Sequence, residues 1–288
     1  MRVSGWMIAG ALASAAAMAA CASGKPAPAP AVAAPTDIVG RFVWHDLVTD
    51  DVAASQKFYG ALLGWEFETT TRIGRPYVIA RCGGRPAGGI VQRKESRTGP
   101  ATWLAYLSVA DLDEALTRVT SAGGKVVVPP TMVGEYGRVA VVLDPEGAPL
   151  GLIGLTGIVA AEPAQPPMNG FFWMEHLARD VPAALAFDKA LAGYESSVST
   201  SDRGVEYTVL KRSRSRAGLL QIPAELSGVQ PNWLPYVRVE DPAALAARAV
   251  SLGGKVVIAP RREIRDGTLA VITDPTGAAL ALQKWPLS

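Results

Sequence analysis

Two short stretches of this 288-residue chain decide its fold, because each of them occurs twice. Residues 123–127 read GGKVV, and residues 253–257 read GGKVV again. Residues 144–147 read DPEG, and residues 274–277 read DPTG, so the two copies are offset by 130 residues (274 − 144). A self-similar period of this length indicates that a whole folding unit has been duplicated.

The repeat extends far beyond these two motifs. Matching positions occur in the same order along both copies, with one residue of slip between them. They include Phe42-Val43-Trp44 with Phe171-Phe172-Trp173, Asp51-Val52 with Asp180-Val181, Gly64-Trp65 with Gly193-Tyr194, Tyr77 with Tyr207, and Trp103-Leu104 with Trp233-Leu234. The duplication therefore covers nearly all of the chain that follows the leader.

Each copy divides again into two modules of similar plan. In the first module a strand-like run at residues 42–48 leads to Asp51, a typical helix N-cap, and then to a stretch with helical period. In the second module Asp111 has the same position, and Gly123-Gly124 ends the predicted helix. Short β-type runs follow each helix, and the turn at residues 144–147 predicts an antiparallel pair. The pattern βαβββ, written four times, predicts an α+β fold.

These motifs resemble the vicinal oxygen chelate superfamily, which includes glyoxalase I, bleomycin resistance proteins and extradiol dioxygenases. The resemblance is carried by residues 51–65, 109–113, 123–124 and 144–147. It implies that modules pair into two tandem glyoxalase-like domains, each with a mixed, cup-shaped sheet that holds the ligand. We expect domain 1 at residues 38–158, a Pro/Ala-rich linker at 159–168, and domain 2 at 169–288.

The resemblance also implies where a divalent metal would bind. Its ligands would come from the strand residue seven before each helix-capping Asp, and from a Glu after the Asp-Pro-x-Gly turn. Those places hold Trp44, Leu104 and Gly151 in the first copy and Trp173, Leu234 and Ala281 in the second. None offers the carboxylate, imidazole or thiolate that a metal needs. We therefore predict no cofactor, and keep as the alternative a divalent metal held by displaced ligands, His45 and Glu175.

Alternation along a strand predicts which side chains share the cup face. Asp46 lies on the face of Trp44, and Tyr106 on that of Leu104. The predicted ligand-binding residues are Trp44, Asp46, Leu104 and Tyr106 in one copy and Trp173, Glu175, Leu234 and Tyr236 in the other. An apolar pocket with a few polar groups is typical of a small-molecule site, and such rings favour a flat or cationic ligand. The alternative is that the rings fill the cups and no ligand enters.

The first 37 residues read as a leader and a tether. Arg2 precedes an apolar stretch at residues 6–18, and residues 18–21 read MAAC, which resembles a bacterial lipobox with Cys21 as the lipidated residue. The rival interpretation is a signal-peptidase site after an Ala-x-Ala. Residues 1–20 are then the signal peptide and 21–37 a tether. We expect an exported protein, lipid-anchored to the cell envelope at the outer membrane facing the periplasm.

Composition limits the function classes. Net charge is +2, so no general field favours nucleic acid, and Cys82 has no partner in the mature chain, which excludes a disulfide framework. The leading hypothesis is a binder of small organic molecules. The alternatives are a metal-dependent lyase, isomerase or dioxygenase of the same superfamily, and a structural or interaction role. The sequence indicates neither the identity of the ligand nor an oligomeric state.

Overall fold

A computed structural model of the chain describes residues 38–94, 99–134, 136–156, 162–200, 204–226 and 228–286. The predicted signal peptide, Cys21 and the tether lie outside the described residues. The described part forms two mixed, curled eight-stranded sheets with four α-helices, and this confirms the predicted fold of four βαβββ modules. Within these ranges no helix is long and apolar enough to cross a membrane.

The first sheet contains two modules whose leading strands lie side by side at its centre. The strand order is β2-β3-β4-β1-β5-β8-β7-β6, with β1 antiparallel to β5 and each central strand parallel to its outer neighbour. The elements are β1 (Phe42–Thr49), α1 (Val52–Leu63), β2 (Glu66–Arg72), β3 (Arg75–Cys82), β4 (Arg85–Gln92), β5 (Thr102–Val109), α2 (Leu112–Ser121), β6 (Lys125–Val133), β7 (Gly137–Leu143) and β8 (Pro149–Leu155).

The second sheet repeats this order as β10-β11-β12-β9-β13-β16-β15-β14. Two short 3₁₀ helices lie in this half, at Ala224–Leu226 and Arg265–Gly267. Its elements are β9 (Phe171–Ala178), α3 (Val181–Ala192), β10 (Glu195–Thr200), β11 (Glu206–Arg212), β12 (Arg214–Gln221), β13 (Asn232–Val239), α4 (Pro242–Ser251), β14 (Lys255–Ile258), β15 (Leu269–Thr273) and β16 (Ala279–Lys284).

The helix boundaries follow from the predicted capping residues. The Asp51 carboxylate accepts a hydrogen bond from the Ala54 amide at 2.8 Å, and Gly64 ends α1 in the left-handed conformation. Asp111 accepts from the Glu114 amide at 2.9 Å. An aspartate cap satisfies an amide that has no partner within the helix. Each helix therefore begins directly after the strand that opens its module.

The two halves share one buried layer, which we call the seam. Helix α1 packs against α4 and α2 against α3, so the helical side of each sheet is covered by the other half. Tyr59, Trp103 and Phe171 form edge-to-face ring contacts there, with centroids 5.1 to 5.4 Å apart. Trp103 and Trp233 are 3% and 4% exposed in the seam. The cup faces point away from it.

Candidate functional site in the cups

The first cup holds a hydrogen-bonded group of four side chains at its floor. The Trp44 indole donates to Asp46 Oδ1 and to the Tyr77 hydroxyl, both at 2.8 Å, and Tyr77 in turn donates to Asp46. Arg72 donates to the Tyr77 hydroxyl at 2.8 Å and lies 3.8 Å from Asp46 Oδ2. Leu104 and Tyr106 lie beside this group. The structure thus brings the four predicted residues of this cup together.

The second cup holds an equivalent group with a different arginine. The Trp173 indole donates to the Tyr207 hydroxyl at 3.1 Å, as Trp44 does to Tyr77. Tyr236 donates to Glu175 Oε2, and Arg265 donates to Glu175 Oε1 at 3.0 Å. The Arg265 guanidinium also lies over the Tyr207 and Tyr236 rings, 5.1 and 5.7 Å from their centroids. Each acid is therefore buried and already paired with a cation.

The tyrosine hydroxyls remain protonated in both cups. Burial raises the pKa of Tyr207 to about 12, and the nearby Glu175 carboxylate contributes in the same direction. Burial and the Asp46 carboxylate raise the pKa of Tyr77 in the same way. Because a neutral phenol is a hydrogen-bond donor, the Tyr77 hydroxyl orients Asp46 and the Tyr236 hydroxyl orients Glu175.

Four side chains of the cups, Arg72, Tyr77, Tyr207 and Arg265, were not among the predicted site residues. The match of Tyr77 with Tyr207 in the repeat could have indicated the two tyrosines. Glycines on the neighbouring strand leave the space that their hydroxyls occupy. A Cβ at Gly89 would overlap the Tyr77 hydroxyl, and a Cβ at Gly218 would overlap that of Tyr207. The strand register makes Gly89, rather than Gly88, the partner of Gly218 in the repeat.

Arg265 reaches the second cup through an unusual backbone. Arg265 and Asp266 both have positive φ, at 47° and 52°, although neither is a glycine. Such residues each cost about 1–3 kcal/mol and persist only where the surroundings hold them. Here the contacts with Glu175 and the two tyrosine rings supply that support. Arg72 of the first cup comes from an ordinary strand end instead.

The places expected for metal ligands hold packing side chains. Trp44, Leu104 and Tyr106 belong to one apolar cluster, and a Cβ at Gly151 would overlap the Tyr106 ring. Among the described residues no three His, Cys, Asp or Glu side chains gather into a group that could hold a metal. The donor set at these places does not fit a divalent cation.

The displaced ligands considered from the sequence lie apart. His45 points into the seam, where its ring stacks on Phe171 at 4.0 Å between centroids and its Nε2 lies 3.4 Å from Met174 Sδ. Burial lowers the pKa of His45 to about 3, so it is neutral. Glu175 lies in the second cup, in the other half of the chain. The structure does not bring the two together.

A cavity of about 640 Å³ adjoins the second cup. Trp173, Tyr207, Tyr236 and Arg265 line one side of it, and linker residues including Pro163 and Pro167 line another. Small-molecule sites commonly occupy about 300–1,000 Å³. Trp44, Asp46, Leu104 and Tyr106 of the first cup do not line this cavity. Arg41, Phe42 and His45 of the first half also line it, so the cavity reaches from the second cup to the edge of the first half.

Comparisons with known proteins agree with this architecture. Residues 39–152 match the model of the Glyoxalase/Bleomycin resistance protein/Dioxygenase superfamily. The chain is 31% identical over 245 residues to CFP32 of Mycobacterium tuberculosis (strain CDC 1551 / Oshkosh), provisionally named a glyoxylase, covering 84% of this chain and 93% of that one. It is 30% identical over 260 residues to the anthracycline biosynthesis protein DnrV of Streptomyces peucetius, covering 84% and 92% respectively.

Among solved structures, the fold is similar to that of the Mn(II)-bound glyoxalase from Novosphingobium aromaticivorans. The TM-score is 0.57 at 14% identity, over 87% of this chain and 83% of that one. Fold and cup define a protein of the vicinal oxygen chelate class. The chain belongs to the glyoxalase/bleomycin resistance protein/dioxygenase superfamily, as the family model and the mycobacterial relative show.

Proposed function

We propose that this protein is an exported, lipid-anchored glyoxalase-like protein that binds a small organic molecule in an aromatic cup without a metal. The observation that carries the proposal is the cavity beside the second cup, into which Trp173, Tyr207 and Tyr236 present their rings. A concave, mainly apolar surface with a few fixed polar groups is the usual composition of a small-molecule site. The Streptomyces relative is named for biosynthesis of a small-molecule product, which agrees with such a role.

The binding experiment uses intrinsic tryptophan fluorescence and equilibrium dialysis against a metabolite library. Trp173 and Trp285 both line the cavity, so a ligand should change tryptophan emission, and Trp173→Phe should reduce that change. Trp44→Phe is the matched control, because Trp44 has the same place in the first cup and does not line the cavity. A library in which no compound binds would refute the proposal.

The alternative function is a metal-dependent lyase, isomerase or dioxygenase with a divalent metal as cofactor. The Mn(II)-bound glyoxalase with a similar fold favours this alternative. The residues at the expected ligand places oppose it. Metal analysis of protein purified without chelator separates the two, since one tightly bound divalent ion per chain would establish the alternative.

The proposed anchor rests on the sequence of the leader. Labelling with a radioactive fatty acid should mark the protein, and Cys21→Ser should abolish the label and release the protein from the membrane fraction. Cys82→Ser is the matched control, because Cys82 lies within the folded part. Label that survives Cys21→Ser would exclude lipidation at this residue.

A further inference from the structure

Among the described residues that line the cavity beside the second cup, basic side chains outnumber acidic ones. Glu162 is the one acidic residue among the described residues that line it, and it is shared, with Oε2 lying 2.7 Å from Arg216 Nη1 and 3.9 Å from Arg41 Nε. Four arginines line the same cavity: Arg41, Arg214, Arg216 and Arg265. Among the described residues, even with Glu175 counted beneath Arg265, arginines outnumber carboxylates at the cavity.

Arg214 is the arginine most accessible to a ligand. It is exposed at the start of β12, and within the described part of the chain no carboxylate forms an ion pair with it. Arg265 is held by Glu175 through one nitrogen, and a guanidinium has five N–H donors in a planar fork. Donors of this kind pair best with carboxylate or phosphate oxygens.

The aromatic residues of the cavity supply flat, apolar surfaces. Phe172, Trp173 and Tyr207 all line it. The carboxylate that would have attracted a cationic ligand, Glu175, is already bonded to Arg265 and Tyr236. In the described part of the chain, a cation entering the cavity would therefore meet the exposed Arg214 and no available acid in the cup.

We infer that the second cup takes a flat organic anion, an aromatic or conjugated ring system that carries a carboxylate or a similar acidic group. The inference rests on the proposed function and names its ligand class. The ring lies against Trp173 and Tyr207, and the acidic group meets Arg214, the exposed arginine of the cavity. Charge-assisted hydrogen bonds to arginine fix the direction in which the ligand enters.

The first cup is an internal comparison for this site. Val133 and Ile153 are 2% and 4% exposed there and pack with Leu104 and Tyr106. The position of Ile153 is taken in the second cup by Gln283, which lines the cavity and whose buried Oε1 has no hydrogen-bond partner. The second cup is thus the more polar one, and binding is expected there alone.

The test uses the full chain and three probes that share one naphthalene ring: naphthalene carboxylate, naphthalene carboxamide and naphthylmethylammonium. Tryptophan fluorescence titration should show the carboxylate binding about tenfold or more tighter than the amide, with the ammonium weakest. Arg214→Gln should weaken the carboxylate several-fold without changing the amide, and added salt should act in the same direction. Arg72→Gln in the first cup is the matched control and should leave both affinities unchanged.

The outcomes separate this inference from the proposed function. Equal binding of the carboxylate and the amide would overturn the inference while the protein remained a small-molecule binder. An Arg214→Gln chain that binds the carboxylate as well as the wild type would also overturn it, as would failure of the carboxylate to bind at all. If, in addition, no compound of the metabolite library bound, both the inference and the proposed function would be overturned. Arg214 is exposed, so its replacement leaves the fold intact, and circular dichroism checks this.

Discussion

The two ends of the seam carry the same backbone and different chemistry. At one end Tyr59 accepts a hydrogen bond from the Trp103 indole at 3.0 Å and is hydrogen-bonded to Asp274, beside the apolar Leu47. At the other end the places of Leu47 and Tyr59 are taken by His176 and Asp188. The imidazole lies between two carboxylates, 2.9 Å from Asp188 Oδ2 and 3.0 Å from Asp144 Oδ2.

The positions of His176 and Asp188, which contact each other, differ together from those of Leu47 and Tyr59 in the other half. Burial lowers the pKa of His176, but the carboxylates of Asp188 and Asp144 outweigh it and raise that pKa to about 9, so the imidazole is charged at neutral pH. A buried aspartate in place of Tyr59 would be costly without this cation. The exchange also leaves the Trp233 indole nitrogen buried with no hydrogen-bond partner among the described residues, whereas the Trp103 indole donates to Tyr59.

His176→Leu is expected to have the largest effect. The substitution places at the second end of the seam the leucine that the first end has as Leu47. It also leaves the buried carboxylates of Asp144 and Asp188 without their cation, and breaking a buried ion pair in this way typically costs about 3–5 kcal/mol of stability. Chemical unfolding followed by circular dichroism measures the loss. Adding Asp188→Tyr should recover at least half of it, because the phenol supplies the group that Tyr59 supplies to Asp274. A loss below about 1 kcal/mol from His176→Leu alone would show that the ion cluster is not needed.

The pH dependence of stability should come next in size. The pKa of His176 is raised from 6.5 to about 9, so its contribution is fully present below about pH 6.5 and is lost as pH rises through about 9. The free energy of unfolding should therefore fall over this range by a few kcal/mol, because the folded chain holds this proton more tightly than the unfolded chain does. The double variant His176→Leu with Asp188→Tyr should have a flatter profile. If the free energy of unfolding fell with pH equally steeply in the wild type and in the double variant, the pH dependence would come from groups other than His176.

Tyr59→Phe should cost about 1 kcal/mol. The substitution removes the hydroxyl that accepts from the Trp103 indole N–H. That N–H is then buried and unbonded, as the Trp233 indole N–H is among the described residues. Thermal unfolding measures the change. Tyr194→Phe is the control at a buried tyrosine whose hydroxyl bonds a backbone oxygen instead, Gly40 O at 2.7 Å. If Tyr59→Phe had no effect, the tyrosine would be present for packing alone.

Ser55→Ala should have the smallest effect, about 0.5 kcal/mol or less. The Ser55 hydroxyl lies 3.5 Å from Asp274 Oδ2 and 3.3 Å from Thr49 Oγ1, and both distances are long for O–H···O bonds. The equivalent residue in the other half is Ala184, which works without a hydroxyl. A loss above about 1 kcal/mol would make Ser55 a true partner of Asp274.

The fold could be predicted from the sequence because its signals are local and repeated. Asp51 and Asp111 cap the helices they were expected to cap, and strand alternation placed Asp46 beside Trp44 correctly. His45 lies between Trp44 and Asp46 on the strand, so the same alternation turns it away from the cup, and it lies in the seam. These predictions depend only on the period of a strand or on the geometry of one helical turn.

The rest of the site depends on contacts between distant segments. Arg265 donates to Glu175, which lies 90 residues away in the sequence. The turn that carries Arg265 has two left-handed residues, and neither is a glycine that would have predicted this conformation. The His176 cluster joins a turn of one half to a helix of the other. Aligning the two copies shows that His176 corresponds to Leu47 and Asp188 to Tyr59, but it does not show that these positions are in contact.

The contact between His45 and Met174 has a consequence for how such a molecule can change. The two residues hold equivalent positions and meet each other across the seam. In an assembly of two identical chains, a residue so close to the symmetry axis faces its own copy, so unlike partners cannot arise there by one substitution. Joining the copies in one chain removes that restriction. A neutral imidazole can then face a thioether, and a cation can be built at one end of the seam without being built at both.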